Sequence, residues 1–520
     1  MWLYAEIKTL ADIPRHYAKK SGDKAALIAG SRSQTFKELD SASNRIANAI
    51  IAHGIPQRSH ISFIGKNSIQ FFEALFGANK AGCALSPLNW RLTAVELATV
   101  VDDSETPLIF VDREYRDLVE DVKKRCSRKF AVVEFDSASG EPGEMEQWAA
   151  AAGDADPRLP ILPLDTALLL YTSGTTGKPK GVQITHEGLY YQRLCEHLEP
   201  AYDWLPNDVM MLVMPNFHLV GTGLSIQGLY NGATVSMLPA MDAAKLLDTI
   251  ERDRPTICCL VPTAIQMMVD HPRAPETDFS SLRLIMYAGS AIGMQLLKRA
   301  LKEVGCEFMQ FYGATETSGA TTLLRPEQHD LNDERKLKSC GTPLPLMEIR
   351  IVDANGNDVS PGGVGEFLVK SPTLFKGYWN QPETSAAALE GGWYHTGDAG
   401  FRDDDGLYYI VDRVKDMIIT GGENVYSTEV EQALCKHPAV NQAAVVGIPD
   451  ERWGEKVTAM VILSAGQSAT EEELIAHCRT LIAGYKVPKT IRFLPSFPMT
   501  PSGKVLKRDL RAQFSESASN

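Results

Sequence analysis

Between residues 36 and 100 the chain alternates between two hydrophobic rhythms. In FKELDSASNRIANAIIAHGI the apolar positions Leu39, Ile46, Ile50 and Ile51 recur near helical spacing, which predicts a helix with one buried face. HISFIG beside it is a short apolar run fit for a strand. Such alternation predicts parallel strands joined by crossover helices, an α/β fold. The stretch 136 to 163 is polar and carries Gly, Asp and Pro, so it reads as a surface connection, and ALLLY after it (167 to 171) reads as a buried strand. From about 341 to 411 the texture shortens to EIRIVD, GEFLVK and FRDDDGLYYIVD, and the turn Asp403, Asp404, Asp405 and Gly406 predicts a hairpin. Hairpin texture ends between Asp412 and Lys415, which places a domain boundary there. Beyond it AAVVGI and KVTAMVIL predict strands, and Thr428 with Glu431 and Thr470 with Glu473 match capping boxes. Leu474, Cys478, Leu481 and Ile482 follow as an apolar stripe, and the Ser-rich tail after Phe514 is expected to fray.

Composition matters chiefly for what it excludes. A chain of 520 residues exceeds a single hydrophobic core, so two or more domains are expected. Hydrophobic residues at 44% and charged residues at 22% give the balance of an ordinary globular protein. The net charge of −13 leaves no basic excess to neutralise a nucleic acid, so no such partner is expected. Anionic ligands must then be held by local Lys, Arg and backbone N–H groups. The nine cysteines are scattered without a CxxC pair, which fits reduced thiols in the cytoplasm. Charges interrupt the apolar N-terminal stretch, so it is no signal peptide, and no run of about 18 apolar residues predicts a transmembrane span.

Candidate chemistry begins at Tyr171-Thr-Ser-Gly-Thr-Thr-Gly-Lys-Pro-Lys-Gly181. Glycines at 174, 177 and 181 let backbone approach a ligand, Ser173, Thr175 and Thr176 offer hydroxyls, and Lys178 and Lys180 offer charge; successive N–H groups in such a turn can wrap an anion. It is not a Walker loop, because only Thr175 and Thr176 separate the two glycines. In Gln310-Phe-Tyr-Gly-Ala-Thr-Glu316 a Tyr can stack on a purine, a Thr can bond a phosphate oxygen, and a carboxylate can hold Mg²⁺. Trp393-Tyr-His-Thr-Gly-Asp398 with Asp412-Arg413 supplies a carboxylate suited to ribose and a cation suited to phosphate, though the two also fit a structural ion pair. Pro501-Ser-Gly-Lys504 places a lysine just after a Gly turn, where a solvated side chain is the simpler reading.

In this order and at these separations, the four segments resemble the adenylate-forming superfamily, in its acyl-CoA synthetase branch, over about residues 10 to 512. The resemblance implies a large N-terminal domain (1–413) of αβ subdomains plus a β-barrel subdomain, and a small mobile α+β C-terminal domain (414–520). It implies ATP, Mg²⁺ and coenzyme A, a carboxylic acid substrate, and a homodimer as one form of assembly. Thr172, Ser173, Gly174, Thr175, Thr176, Gly177, Lys178 and Lys180 would contact the ATP phosphates. Gly289, Ser290 and Ala291 would flank the adenine on which Tyr312 stacks. Thr315 would contact phosphate, Glu316 would hold Mg²⁺, Asp398 would bind ribose, Arg413 would close over the nucleotide, Lys415 would be the hinge, and Lys504 would catalyse adenylation. His218, Thr222, Gly313 and Ala314 match positions around the acyl pocket; Gly421, Gly422, Trp453, Tyr485 and Lys486 match the coenzyme A side.

The chemistry so implied is a meeting of anions. A carboxylate attacks the α-phosphorus of ATP, Mg²⁺ at Glu316 and the Lys504 ammonium offset the repulsion, and pyrophosphate leaves. Coenzyme A's thiol performs the second attack, so no side-chain nucleophile is needed. Relatives that activate amino acids carry an Asp after the Phe217 aromatic; here His218, Leu219 and Val220 follow. Acetate-specific relatives carry a Trp at Gly313, so its absence favours a longer or aromatic acid. A medium- to long-chain fatty acid is the first expectation, an aryl or arylalkanoic acid the second, and a carrier-protein acceptor a rival to coenzyme A.

Overall fold

The computed structural model describes residues 6–139, 142–172, 179–421, 423–450, 452–499 and 505–515. Two compact units form, Met1–Ile349 with Val369–Tyr394, and Arg350–Leu368 with His395–Asn520.

The first unit is α/β with two sheets. One runs, in spatial order, Ala131–Phe135, Leu108–Asp112, His60–Ile64, Ala84–Pro87, Thr166–Thr172 and Lys180–Thr185, all parallel except the last. The other has nine strands. Its centre is parallel (Glu307–Ala314, Leu284–Tyr287, Ile257–Leu260, Val209–Leu212, Thr234–Met237, Ala25–Ala29), and antiparallel strands such as Gly319–Leu324 close both edges. His60–Ile64, Leu108–Asp112, Ile257–Leu260 and Leu284–Tyr287 are buried at every position. Parallel strands covered on both faces need such near-continuous apolar runs, which is why the alternation in the sequence is legible.

Helix Ile69–Lys80 is buried along its whole length and touches strands of both sheets. At its end the Lys80 ammonium is fully enclosed and donates to the Asp40 carboxylate (2.6 Å), the Asn44 amide oxygen (2.7 Å) and the Asp40 carbonyl (3.0 Å). Burial lowers its pKa to about 8, against the opposing pull of Asp40.

Several local expectations hold, and others need correction. Helix Phe36–Ala52 starts at a Thr35–Glu38 capping box and buries Leu39, Ile46 and Ile50, but Ile51 is 39% exposed, because it falls off the buried stripe. The 136 to 163 connection contains helix Glu144–Ala150, which buries Met145 and Ala149 against the core.

The second unit holds most of a four-stranded sheet, Glu348–Val352, Gly365–Lys370, Tyr394–Arg402 and Tyr408–Arg413, in the stretch expected as the barrel subdomain. The hairpin turns at Asp403–Gly406 as its sequence requires. A five-stranded sheet follows, built on the long antiparallel pair Val440–Asp450 and Gly454–Leu463. Helix Glu471–Arg479 has the expected Thr470–Glu473 box; it stops before Leu481, which is exposed. The second predicted box does not form. Helix Ser427–Cys435 begins one residue before Thr428, and the buried Asp412 carboxylate supplies the cap, taking the Ser427 N–H (2.5 Å) and hydroxyl (2.6 Å) and the Thr428 N–H (3.4 Å). Glu431 turns instead to the Lys507 ammonium (2.8 Å).

Breaking a buried ion pair strands the partner charge, so Lys80→Ala should lower unfolding stability by about 3–5 kcal/mol in urea titration. A loss below about 1 kcal/mol, the value of an exposed pair, would show that the buried network carries no such weight.

Candidate active site

In the first unit, strands Thr166–Thr172 and Lys180–Thr185 pair so that Thr172 stands opposite Lys180 and Tyr171 opposite Gly181. The Gly/Ser/Thr/Lys segment therefore lies, in sequence, between two antiparallel partners. Ser173, Gly174, Thr175, Thr176, Gly177 and Lys178 lie outside the described residues. The base of the loop is anchored from both sides. Tyr171 donates its hydroxyl to the Asp103 carboxylate (2.6 Å), and burial pushes the phenol's pKa upward. Gly181 is small for its own neighbours: a Cβ there would sit 3.1 Å from both the Leu169 methyl and the Tyr171 ring.

Lys180 is held by a residue the sequence reading passed over. Its ammonium lies 4.7 Å from the centroid of the Tyr378 ring, within cation–π range, and the Tyr378 hydroxyl donates to the Glu316 carboxylate (2.8 Å). Backbone bonds clamp residues 376 to 379 along strand Lys180–Thr185: Lys376 donates to Gln183, Gln183 to Gly377, and Trp379 to Gly181. The available signal was an aromatic pair, Tyr378-Trp379, between Gly377 and Pro382. Thr315 and Glu316 occupy the short helical turn Thr315–Thr317, fixed by Thr317, whose hydroxyl donates to the Gly319 carbonyl (2.7 Å) and accepts the Ala314 N–H (3.0 Å). Cation, phenol and carboxylate thus form one chain at the foot of the loop.

Gly289 (φ +91°) and the exposed Ser290 and Ala291 follow the C-terminal end of strand Leu284–Tyr287. The adjoining parallel strand pairs Gln310 with Tyr287 and carries Tyr312 two residues on. Loops at the carboxyl ends of parallel strands are where open α/β sheets bind ligands, so the adenine positions stand in a suitable place.

The acyl-pocket positions are less uniform. His218 immediately precedes helix Leu219–Tyr230, its ring 4.7 Å from that of Phe217. Thr222 is fully enclosed and donates its hydroxyl to the Asn216 carbonyl, so it is tied to the backbone that precedes its own helix. Ile265 and Met268 are core, whereas Met267 is 47% exposed. Gly313 sits at a bulge in the pairing with strand Gly319–Leu324, and any Cβ on it would meet the Gly319 carbonyl oxygen at 2.2 Å. Its missing side chain is a requirement of the backbone, beside any effect on pocket depth. Ala314 follows it, partly buried against the core.

In the second unit Asp398 and Arg413 are opposite residues of the hairpin, joined at 2.7 Å, and Arg413 also donates to the Thr396 carbonyl (3.2 Å). The structural ion pair is thus present. Lys415 is half-buried within the turn Val414–Asp416, and burial lowers its pKa against the opposing charge of Asp416. Gly421 donates its N–H to the Trp453 carbonyl (2.7 Å). The half-exposed indole of Trp453 has Arg452 4.8 Å and Lys489 5.7 Å from its centroid. Lys486 makes two 2.8 Å bonds to Glu429 and lies 5.7 Å from the exposed Tyr485 ring. Gly422 and Lys504 lie outside the described residues.

Comparison with known proteins identifies the family of the chain. The AMP-binding enzyme family matches residues 14–379, and the C-terminal domain of AMP-binding enzymes matches residues 429–504. The chain is 37% identical over 514 residues to the fatty acid–[acyl-carrier-protein] ligase ScoC of Streptomyces coeruleorubidus, covering 98% of this chain and 97% of that one. It is 35% identical to the feruloyl-CoA synthase of an Amycolatopsis species, covering 97% and 99%. Among solved structures, the o-succinylbenzoate CoA synthetase MenE of Bacillus subtilis, in complex with its acyl-adenylate intermediate, superposes with a TM-score of 0.85 at 29% identity, covering 96% and 97%.

Because Gly313 faces backbone, Gly313→Ala should destabilise the fold by about 1–3 kcal/mol, the range for overpacking, with a matching fall in thermal midpoint. An alanine variant as stable as the parent would show that the bulge yields freely and that the glycine serves the pocket alone.

Proposed function

The chain belongs to the AMP-binding enzyme family, in its acyl-CoA synthetase branch, and on that premise we propose that it converts a carboxylic acid to its acyl-adenylate and then to a coenzyme A thioester. The observation that carries this reading is the chain from Lys180 through Tyr378 to Glu316 at the foot of the hairpin loop. It sets a cation and an oriented carboxylate at the start of the strand that follows, in sequence, a segment rich in N–H and hydroxyl donors. That is what holding a polyphosphate requires.

In this proposal the loop from Thr172 to Lys180 cradles the β- and γ-phosphates, Tyr312 stacks on adenine beside Gly289, Ser290 and Ala291, and Thr315 contacts phosphate. Asp398 takes the ribose hydroxyls and Arg413 the phosphate. Mg²⁺ suits Glu316 on chemical grounds: Tyr378 occupies one carboxylate oxygen, and no described residue bonds the other. The described residues contain no cluster of three or more His, Cys, Asp or Glu that could cage a metal, so phosphate oxygens would complete the coordination, as is usual for this ion. Bound there, it would offset charge on the phosphates. The substrate carboxylate oxygen bonds to the α-phosphorus as the bond to the bridging β-phosphate oxygen breaks; pyrophosphate carries away the electron pair. Lys504 meets the negative charge that gathers at that centre. The thiol, losing its proton, then attacks the acyl carbonyl and AMP leaves.

The C-terminal module is proposed as 414–520, pivoting at Lys415, with Gly421 and Gly422 replacing Lys504 in the second step. An aromatic face flanked by Arg452 and Lys489 at Trp453, with Tyr485 and Lys486, supports a nucleotide-bearing acceptor, hence coenzyme A. The similarity to a carrier-protein ligase favours a carrier protein as the second reading. The acid is proposed as a medium- to long-chain fatty acid, with an aryl acid as the alternative that the feruloyl relative supports. No helix among the described residues is long and apolar enough to cross a membrane. The nine thiols, none in a disulfide, fit the cytoplasm.

Lys504→Ala should reduce acid-dependent pyrophosphate release about 10²- to 10³-fold, the effect of losing one preorganised donor. Thioester formation from supplied acyl-adenylate and coenzyme A should stay close to the parent rate. Equal loss of both half-reactions would make Lys504 structural and sink its assigned role.

A further inference from the structure

Helix His186–Leu198 turns a polar edge into the first unit. Gln192 and Glu196 stand one turn apart on it, both buried. The Gln192 side chain lies against Gly319, the register partner of Ala314, and the Gly319 carbonyl oxygen crowds Gly313. Near Glu196 lies Gln227, toward the end of the same helix Leu219–Tyr230 that His218 precedes and whose first turn holds Thr222. No hydrogen bond of standard geometry reaches either carboxylate oxygen of Glu196 or either end of the Gln192 amide, although the Gln192 and Gln227 amides lie close enough to the carboxyl to favour its charged form. The Tyr202 hydroxyl and the Trp204 indole N–H are buried in the same condition. Glu196, Tyr202 and Trp204 border a cavity of about 270 Å³. Burial pushes the Glu196 carboxyl up to about 8, with Gln192 and Arg193 acting in the opposite direction.

Packing alone does not account for this. A buried polar group left without a partner loses its hydration with nothing in exchange, and native interiors hold few. Here a carboxyl, an amide, a phenol and an indole N–H gather at one place, along the two elements that lead from the acid-pocket positions. Resting on the acyl-adenylate reading above, we propose that Gln192, Glu196 and Gln227 form the far end of the acid pocket and select a carboxylic acid that carries a hydroxyl at its distal end. A hydroxyl donates one hydrogen bond and accepts others. It donates to the Glu196 carboxyl and accepts from the Gln192 amide, whereas a methyl end would leave both groups stranded. Sites built this way reject the deoxy analogue strongly, because the penalty falls on the protein's own buried groups.

The test uses the full chain with ATP, Mg²⁺ and coenzyme A, and reads kcat/KM for pyrophosphate release on paired acids. The pairs are ω-hydroxyoctanoate with octanoate, and para-hydroxyphenylpropanoate with phenylpropanoate. The parent should prefer the hydroxylated member of the pair it accepts by more than about tenfold. Glu196→Leu should abolish or invert that preference by raising kcat/KM for the deoxy acid, while Glu196→Gln, which keeps shape and hydrogen bonding, should largely retain it. Thermal unfolding of each variant shows whether it folds, and Gln192→Leu, made separately, carries the test if Glu196→Leu does not. Equal use of both members by the parent, or an unchanged ratio in a folded leucine variant, overturns the inference and leaves the ligase reading standing. Pyrophosphate release with no acid at all of the panel would overturn both.

Discussion

Everything in the first unit is arranged around a helix that never reaches solvent. Ile69–Lys80 packs against strands of both sheets, so neither sheet can shift against it without opening the core. The penalty of enclosing its last residue is met by Asp40 and Asn44 on the neighbouring helix. Interiors packed at crystal-like density transmit such constraints instead of absorbing them. The strand ends at Thr172, Lys180, Tyr287 and Ala314 inherit their placement from sheets fixed in this way.

The parts of this design that the sequence disclosed are those whose physics is local. Continuous apolar runs gave the parallel strands, the Asp-rich turn gave the hairpin, and a side-chain box gave the start of helix Glu471–Arg479. What it concealed depends on contacts distant along the chain. Thr428 and Glu431 have the right spacing for a cap, yet Asp412, fifteen residues upstream of Ser427, wins the site because its carboxylate is buried there with three partners. Tyr378 joins Lys180 to Glu316 from a loop some two hundred residues away, and no periodicity announces that. Gln192 and Glu196 read as polar positions on an amphipathic helix; only the sheet and helix opposite make their burial visible.

Charge is handled the same way throughout. A chain with a net charge of −13 offers anions no general attraction, and three of the described cations proposed to meet them are already engaged. Lys180 rests on a phenol ring, Arg413 on Asp398, and Lys486 on Glu429. Such contacts fix long side chains in one geometry before any ligand arrives, which reduces the entropy lost when it binds. They also mean that a ligand which pulls Arg413 away must leave Asp398 with another partner, and ribose hydroxyls are suitable donors for that carboxylate.

Asp412 has a bearing on timing. Its carboxylate ties the end of one strand to the start of helix Ser427–Cys435, and Lys415 lies on the chain between those two anchor points. The pivot proposed at Lys415 would have to open a cluster of bonds at this point, three to the Asp412 carboxylate and one from the Thr428 hydroxyl to the Val411 carbonyl. Hydrogen bonds to a charged group contribute about 1.5–3 kcal/mol each, so on the proposed pivot they would act as an escapement. The pace of the proposed motion would then be set at the seam between a strand end and a helix start.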